Sequence, residues 1–252
     1  MAVLDAPNYL VRLLLAPACP ACACLLDRPL SHMICDSCWG AIPRLGARLC
    51  ARCGDELARA RVLDDLCGRC RRRPPPYSVA RSAGRYDGSL RELVHAFKFQ
   101  KRRLLAEPLG SLMRDAGDAV LDDADAVVPV PLHPFRSFAR GFNQADDLAR
   151  QTRLPVWRVL RRVRHGPPQA SLSAAGRHGH LHGAYRLALR ARWRHVGGLP
   201  IQGTTLVLID DVMTTGETME ECARVLMEGG AKEVRGLTVA RAVTGRPLRR
   251  PA

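Results

Sequence analysis

The sequence predicts an α/β fold, in which a parallel sheet flanked by helices is preceded by a small cysteine-rich domain. Eight of the ten cysteines form four C-x-x-C pairs between residues 19 and 70, and only Cys222 lies beyond residue 76. After the stiff segment 71–76 (RRRPPP), short apolar runs typical of buried strands alternate with segments of helical spacing. This alternation predicts parallel strands joined by helices, and we place the domain boundary near residue 75.

The elements follow from the spacing of the apolar residues. Residues 10–18 are apolar apart from Arg12, so an N-terminal helix is predicted within residues 1–18. Within residues 76–245, the predicted elements are a strand at 79–86, helices at 90–97 and 104–113, buried strands at 126–130 and 204–209, a helix at 219–226 and a strand at 234–240. The basic, proline-containing tail 246–252 is predicted to be disordered.

The net charge of +15 comes almost entirely from arginine, because only Lys98, Lys101 and Lys232 are lysines. Such an excess suits polyanionic partners, either nucleic acid or a phosphate-rich small molecule. An arginine- and alanine-rich genome would produce the same excess, so charge alone does not identify the ligand. No apolar run approaches the roughly 18 residues of a membrane-spanning helix, and no membrane insertion is predicted.

The paired cysteines predict two structural zinc sites. Two residues between cysteines let both thiolates reach one ion, and a second such pair completes a tetrahedral four-sulfur site. Taken in sequence, residues 19–75 form a double zinc ribbon, with one site made by Cys19, Cys22, Cys35 and Cys38 and the other by Cys50, Cys53, Cys67 and Cys70. An interleaved pairing, and a ligand role for Cys24 in place of Cys22, remain open. Cysteines that bind zinc as free thiolates indicate a protein of the reducing cytoplasm. Thioredoxin-like redox chemistry is the alternative, but it needs a single C-x-x-C pair before a helix rather than four pairs.

The C-terminal half contains a predicted binding site for a phosphorylated sugar. An apolar strand leads to two consecutive carboxylates, Asp210 and Asp211, and then through a short loop, 212–216, into a helix. Loop N–H groups and the helix N-terminus attract an anion, and three threonines add hydroxyl groups. The acids would repel a bare phosphate, but they suit a ligand that also brings ribose hydroxyls or Mg²⁺. The alternative is an ordinary strand-turn-helix in which the threonines only cap the helix.

Residues 206–218 (LVLIDDVMTTGET) closely resemble the motif with which type I phosphoribosyltransferases bind 5-phosphoribosyl-1-pyrophosphate (PRPP). The resemblance implies a type I phosphoribosyltransferase-like sheet for residues 76–245. It also implies that Asp210 and Asp211 contact the ribose hydroxyls. The remaining PRPP-binding residues, with 213–218 around the 5-phosphate, would be Val212, Met213, Thr214, Thr215, Gly216, Glu217 and Thr218.

Residues 128–149 (VPVPLHPFRSFARGFNQADDLA) resemble the signature of the ComF family, whose ComFC- and GntX-like members join a cysteine-rich N-terminus to a phosphoribosyltransferase domain. By this resemblance, Arg136 and Arg140 would hold pyrophosphate, because arginine binds phosphate oxygens with paired hydrogen bonds. Alternatively, they are surface arginines. Residues 164–183 would be a loop that closes over PRPP, with Gln169 and Arg177 as candidate catalytic residues. Lys98 either reaches the active site or is a surface charge.

These observations lead to three functional hypotheses. The first is an enzyme, a cytoplasmic phosphoribosyltransferase that uses Mg²⁺ with PRPP and transfers phosphoribosyl to an unidentified acceptor with release of pyrophosphate. The second is a protein that handles single-stranded DNA, alone or with a DNA-processing protein, as the resemblance to the competence-associated family suggests. The third is a PRPP sensor that has lost turnover.

Overall fold

The computed structural model describes residues 6–57, 65–100, 102–132, 141–163, 183–188 and 201–243. The helices in these ranges are α1 (Ala6–Leu15), α2 (Asp36–Gly40), α3 (Gly68–Arg72), α4 (Gly88–Phe99), a 3-10 turn (Arg103–Leu105), α5 (Ala106–Leu121), α6 (Gln144–Arg150) and α7 (Glu217–Glu228). The strands are β1 (Ala80–Arg85), β2 (Ala126–Pro129), β3 (Leu160–Arg162), β4 (Tyr185–Leu187), β5 (Thr205–Met213) and β6 (Glu233–Arg241). The predicted tail 246–252 lies outside the described residues.

Four strands form a parallel sheet in the order β1-β6-β5-β2. The α/β architecture with a parallel sheet is therefore confirmed. Val127 of β2 also makes a parallel bridge to Val156, which extends this edge of the sheet. The short strands β3 and β4 pair with each other in an antiparallel manner, outside the main sheet.

Alternating side chains of β5 pack on opposite faces of the sheet, as expected for a strand buried on both sides. Val207 and Ile209 join the cluster formed with α4, α5 and α6, whereas Leu206 and Leu208 join the cluster formed with α7. The second cluster also contains Cys50, Cys53 and Cys70. The second cysteine-rich ribbon thus packs on the same face of the sheet as α7.

Strand β5 is longer than its apolar run predicts. It continues through both acids to Met213, because β6 continues to pair with it there, with Val212 opposite Ala240 and Met213 opposite Arg241. The loop before α7 is correspondingly shorter than the predicted 212–216, and begins at Thr214. Asp210 and Asp211 consequently belong to a strand whose backbone is fixed by its neighbour.

Exposed apolar side chains are concentrated on α1, where Leu13, Leu14 and Leu15 are each about 70% exposed. The helix ends at Leu15, well before the length that a bilayer requires. Within the described ranges, no helix combines the length and the apolar character of a membrane span.

Candidate functional site

A cavity opens where the parallel strands reach their carboxyl ends, the edge at which open α/β sheets bind ligands. Tyr86 follows β1, Val130 follows β2 and Met213 ends β5, and all three residues line it. The other lining residues are Lys98, Pro131, Leu132, Arg162, Tyr185, Asp210, Asp211, Val212, Thr214, Gly216, Thr218 and Met219. The structure therefore brings Lys98, both acids and most of the predicted phosphate loop to one cavity.

The two acids are held differently. The Asp211 backbone N–H donates to Oδ1 of Asp210 over 2.8 Å, and the Asp211 carboxylate is 2.8 Å from Nζ of Lys98. Lys98 comes from the last turn of α4, which packs through Leu93 and Phe97 on the face of the sheet that also buries Val207. Asp211 therefore has a fixed cationic partner, whereas the charge of Asp210 is less well compensated.

The arrangement shifts the pKa of Asp210 and of Lys98. Burial and, after it, the neighbouring carboxylate of Asp211 raise the pKa of Asp210, whereas Lys98 lowers it, and the resulting pKa is about 7. Burial lowers the pKa of Lys98, but the carboxylates of Asp211 and then Asp210 outweigh it, so the pKa lies above the usual value. Near neutral pH the cavity therefore contains one firm ion pair and one carboxyl that is poised to ionise.

The loop after β5 has the geometry of an anion site. Gly216 has φ of +85° at the N-cap of α7, a left-handed conformation that glycine adopts without strain. The first N–H groups of α7 have no intrahelical acceptor and carry the positive end of the helix dipole. The cavity lining includes Thr214, Gly216 and Thr218. An anion at this helix end would meet backbone N–H groups and threonine hydroxyls together.

Arg162 and Tyr185 are cavity residues that the sequence did not single out. They come from β3 and β4, and the guanidinium of Arg162 lies 5.5 Å from the centre of the Tyr185 ring. Within the described part of the chain, the buried Nε of Arg162 has no hydrogen-bond partner. Burial raises the pKa of Tyr185 well above its usual value, so its hydroxyl stays protonated. Arg162 thus adds a positive charge to the lining of the cavity that also contains the two acids.

Four predicted catalytic residues, Arg136, Arg140, Gln169 and Arg177, lie outside the described residues. The chain enters the first of these segments from Pro131 and Leu132, which line the cavity. Residues 164–182 connect β3 to β4, the paired strands whose Arg162 and Tyr185 line the cavity.

The eight paired cysteines form two separate groups, and the sequential pairing is the one that occurs. The first group contains Cys19, Cys22, Cys35 and Cys38, and the second contains Cys50, Cys53, Cys67 and Cys70. Within each group the sulfur atoms all lie within 4.8 Å of one another, and Cys24 belongs to neither group. The interleaved pairing is thereby excluded.

The sulfur positions fit tetrahedral zinc. Zn–S bonds of about 2.3 Å place the sulfurs of a tetrahedron about 3.8 Å apart. The Cys22–Cys35 and Cys53–Cys67 sulfur pairs are each 3.7 Å apart. The Cys67 N–H also donates to the Cys50 sulfur over 3.3 Å, an arrangement that stabilises a thiolate. Four sulfur ligands leave no open coordination position, which indicates structural rather than catalytic sites.

Two known families match different parts of the chain. Residues 10–76 match the family described as "Double zinc ribbon domain". Residues 139–250 match the family described as "Phosphoribosyl transferase domain". The first match covers both cysteine groups, and the second covers β5, the loop and α7.

Several curated proteins are similar over most of their length. The chain is 36% identical over 227 residues to "DNA utilization protein YhgH" of Salmonella typhimurium, which covers 84% of this chain and 92% of that protein. It is 34% identical to "Competence protein F" of Haemophilus influenzae, covering 77% and 84%. It is 27% identical to "Competence protein ComFC" of Bacillus subtilis, covering 82% and 84%. The similarity thus includes both the ribbons and the sheet domain.

Proposed function

Since this chain belongs to the ComF family, we propose that its cavity binds PRPP with Mg²⁺ and that the protein transfers the phosphoribosyl group to an acceptor. The observation that carries the proposal is the convergence of Asp210, Asp211 and the residues Thr214, Gly216 and Thr218 on one cavity. A ribose 5-phosphate has hydroxyls for the acids and a phosphate for the loop. Each half of the ligand then meets groups of suitable polarity.

The transfer breaks the bond between the anomeric carbon and a pyrophosphate oxygen, while an acceptor nucleophile forms a bond to that carbon. Mg²⁺, when bound with PRPP, screens the charge of the pyrophosphate, and carboxylate oxygens such as those of Asp210 are ligands that suit it. Arg162, which lines the cavity, supports the departing pyrophosphate. We assign the same role to Arg136 and Arg140. Gln169 and Arg177 belong to the segment that would cover the bound ligand.

Thermal unfolding tests ligand binding directly. PRPP with Mg²⁺ at about 100 times its Kd is expected to raise the Tm by roughly 5–10 °C. The Asp210→Asn/Asp211→Asn variant should lose this shift. Asp122→Asn/Asp123→Asn is a matched control, because these adjacent acids are exposed after α5, away from the cavity lining. A wild-type protein without any shift at millimolar PRPP would contradict the proposal.

Release of pyrophosphate distinguishes an enzyme from a PRPP sensor. We expect the wild-type protein to release pyrophosphate from PRPP when the correct acceptor is supplied, and Arg162→Met to release it more slowly. Binding of PRPP without pyrophosphate release across nucleobase, amine and nucleic-acid acceptors would favour the sensor.

A second candidate function is the handling of single-stranded DNA in the cytoplasm. It is favoured by the names of the relatives, which refer to competence and DNA utilization, and by the net charge of +15. Fluorescence anisotropy with a labelled oligonucleotide should show binding that weakens steeply with salt. Competition by PRPP would place DNA at the cavity, whereas independent binding would assign it to another surface.

A further inference from the structure

The second cysteine group lies against the predicted phosphate loop, although the two are about 150 residues apart in the sequence. Arg69, between Cys67 and Cys70 at the start of α3, donates from Nη1 to the carbonyl oxygen of Thr215. The same nitrogen is 3.3 Å from Oε1 of Glu220 in the first turn of α7. A side chain of the zinc ribbon thus holds both the loop and the helix that follows it.

The guanidinium of Arg69 also faces Gly216. A Cβ atom at Gly216 would lie 3.1 Å from Nη2 of Arg69, so the two groups are in close contact. Within the described residues, this buried Nη2 has no hydrogen-bond partner. The guanidinium of Arg69 therefore packs against the left-handed turn at Gly216, and its Nη2 is a hydrogen-bond donor next to the loop.

A second arginine holds the residue that precedes the loop. Arg241, at the end of β6, is 2% exposed and donates from Nη1 to the carbonyl oxygen of Cys53 over 2.8 Å. The same nitrogen lies 3.0 Å from the sulfur of Met213, the last residue of β5. Its Nε is paired with Asp55 at 3.1 Å. Each side of the loop is therefore joined by an arginine to the second cysteine group.

We infer that the second zinc ribbon positions the phosphate loop, and that Arg69 is the positioning residue which makes phosphate binding depend on the Cys50/Cys53/Cys67/Cys70 site. The inference rests on the proposed binding of PRPP. Zinc ligation fixes the backbone between Cys67 and Cys70, and hence the direction of the Arg69 side chain. A loop whose N–H groups already converge binds phosphate without an additional ordering cost.

The first test compares two arginines of the same short helix in the full-length, zinc-loaded protein. Arg69→Met should weaken binding of PRPP with Mg²⁺, measured by calorimetry, by about 10- to 100-fold, because charge-assisted hydrogen bonds are lost. Arg72→Met is the matched control, since Arg72 is exposed, and its Kd should equal that of the wild type. Both variants should retain two zinc ions per chain.

The second test uses the reciprocity of coupled binding. If the second site fixes the loop, a ligand in the loop must stabilise the second site in return. PRPP with Mg²⁺ should therefore slow alkylation of Cys67 and Cys70 by N-ethylmaleimide several-fold, as followed by peptide mass spectrometry. Alkylation of Cys35 and Cys38 should not change. In Arg69→Met, the protection of Cys67 and Cys70 should disappear.

The outcomes separate this inference from the proposed function. Absence of PRPP binding by the wild type would overturn both. Equal PRPP affinity of the wild type and Arg69→Met, with protection retained, would overturn the inference alone and leave Arg69 as a contact that only stabilises the fold. If Arg69→Met loses zinc, Arg69→Lys replaces it in both tests. Lysine keeps the positive charge of Arg69 but cannot make the same paired hydrogen bonds. We therefore expect Arg69→Lys to bind PRPP more weakly than the wild type without losing binding altogether. An affinity equal to that of the wild type would contradict the inference.

Discussion

The Nζ atom of Lys98 lies 2.8 Å from Oδ1 of Asp211, so the end of α4 is tied to β5 at the wall of the cavity. The two side chains are only 17% and 11% exposed, respectively. An ion pair in such a position holds the Asp211 side chain in one orientation while Asp210 remains available to a ligand. This one contact therefore links the packing of α4 on the sheet to the position of a charged side chain in the cavity.

Replacement of Lys98 alone should destabilise the protein more than replacement of both Lys98 and Asp211. Lys98→Met leaves the Asp211 carboxylate buried without its cation, and the free energy of unfolding should fall by about 2–3 kcal/mol, less than for a fully buried pair. The Lys98→Met/Asp211→Asn double variant should recover much of this loss. Urea denaturation measures both values. Equal stability of the single and double variants would show that the unpaired Asp211 carboxylate does not destabilise the protein, and would contradict the prediction.

The raised pKa of Asp210 predicts a pH-dependent difference between the wild type and Asp210→Asn. Between pH 4 and pH 7 the unfolded wild type has lost this proton while the folded protein retains it, since the folded pKa is about 7. As the pH rises from 4 to 7, the free energy of unfolding of the wild type therefore falls relative to that of Asp210→Asn, by up to about 1.4 kcal/mol per pH unit. Above pH 7 the difference between the two proteins is constant. Urea unfolding at pH 4.5, 6 and 8 measures this trend, and a difference independent of pH would exclude it.

The neighbouring thiols of Cys22 and Cys24 provide a test of the first zinc site. Cys22 belongs to the four-sulfur group, and its sulfur is 3.7 Å from that of Cys35, whereas Cys24 lies outside the group. Cys22→Ser is expected to reduce the zinc content from two ions per chain to one. Cys24→Ser should retain two. Mass spectrometric metal analysis decides between them, and two ions in Cys22→Ser would mean that Cys24 replaces the missing ligand.

The sequence predicted the parts of the fold whose signal is local. The alternation of apolar runs indicated the strands of the parallel sheet, and the C-x-x-C spacing indicated two four-sulfur groups, whereas the pairing of the cysteines was left open until the structure showed it. The threonine-rich loop after Asp211 was likewise visible, because its residues are adjacent in the chain. The length of β5 could not be predicted from its own residue types. Strand β5 continues through Asp210 and Asp211 because it pairs there with the neighbouring strand β6.

Contacts between distant segments could not be predicted. The pairing of Lys98 with Asp211 depends on how α4 packs across the sheet, and spacing alone left its role open. Arg162 and Tyr185 belong to strands of only three residues, too short for a period of two to be recognised. Arg69 was one of many arginines, and nothing in its neighbourhood indicated a partner some 150 residues away.

The left-handed conformation of Gly216 predicts a loss of ligand binding in Gly216→Ala. Any L-residue there has a cost of about 1–2 kcal/mol from its φ of +85°, and the added methyl group would also lie 3.0 Å from Met213 and 3.1 Å from Arg69. Gly203→Ala is the matched control, because Gly203 has φ of +76° but a methyl group added there would have no heavy atom within 4 Å. Both variants should lose the conformational stability that the positive φ costs an alanine. Only Gly216→Ala should bind PRPP with Mg²⁺ at least about 10-fold more weakly in calorimetry, since only there must the loop move away from the ribbon. Equal affinities in the two variants would mean that the loop tolerates displacement and does not form the phosphate site.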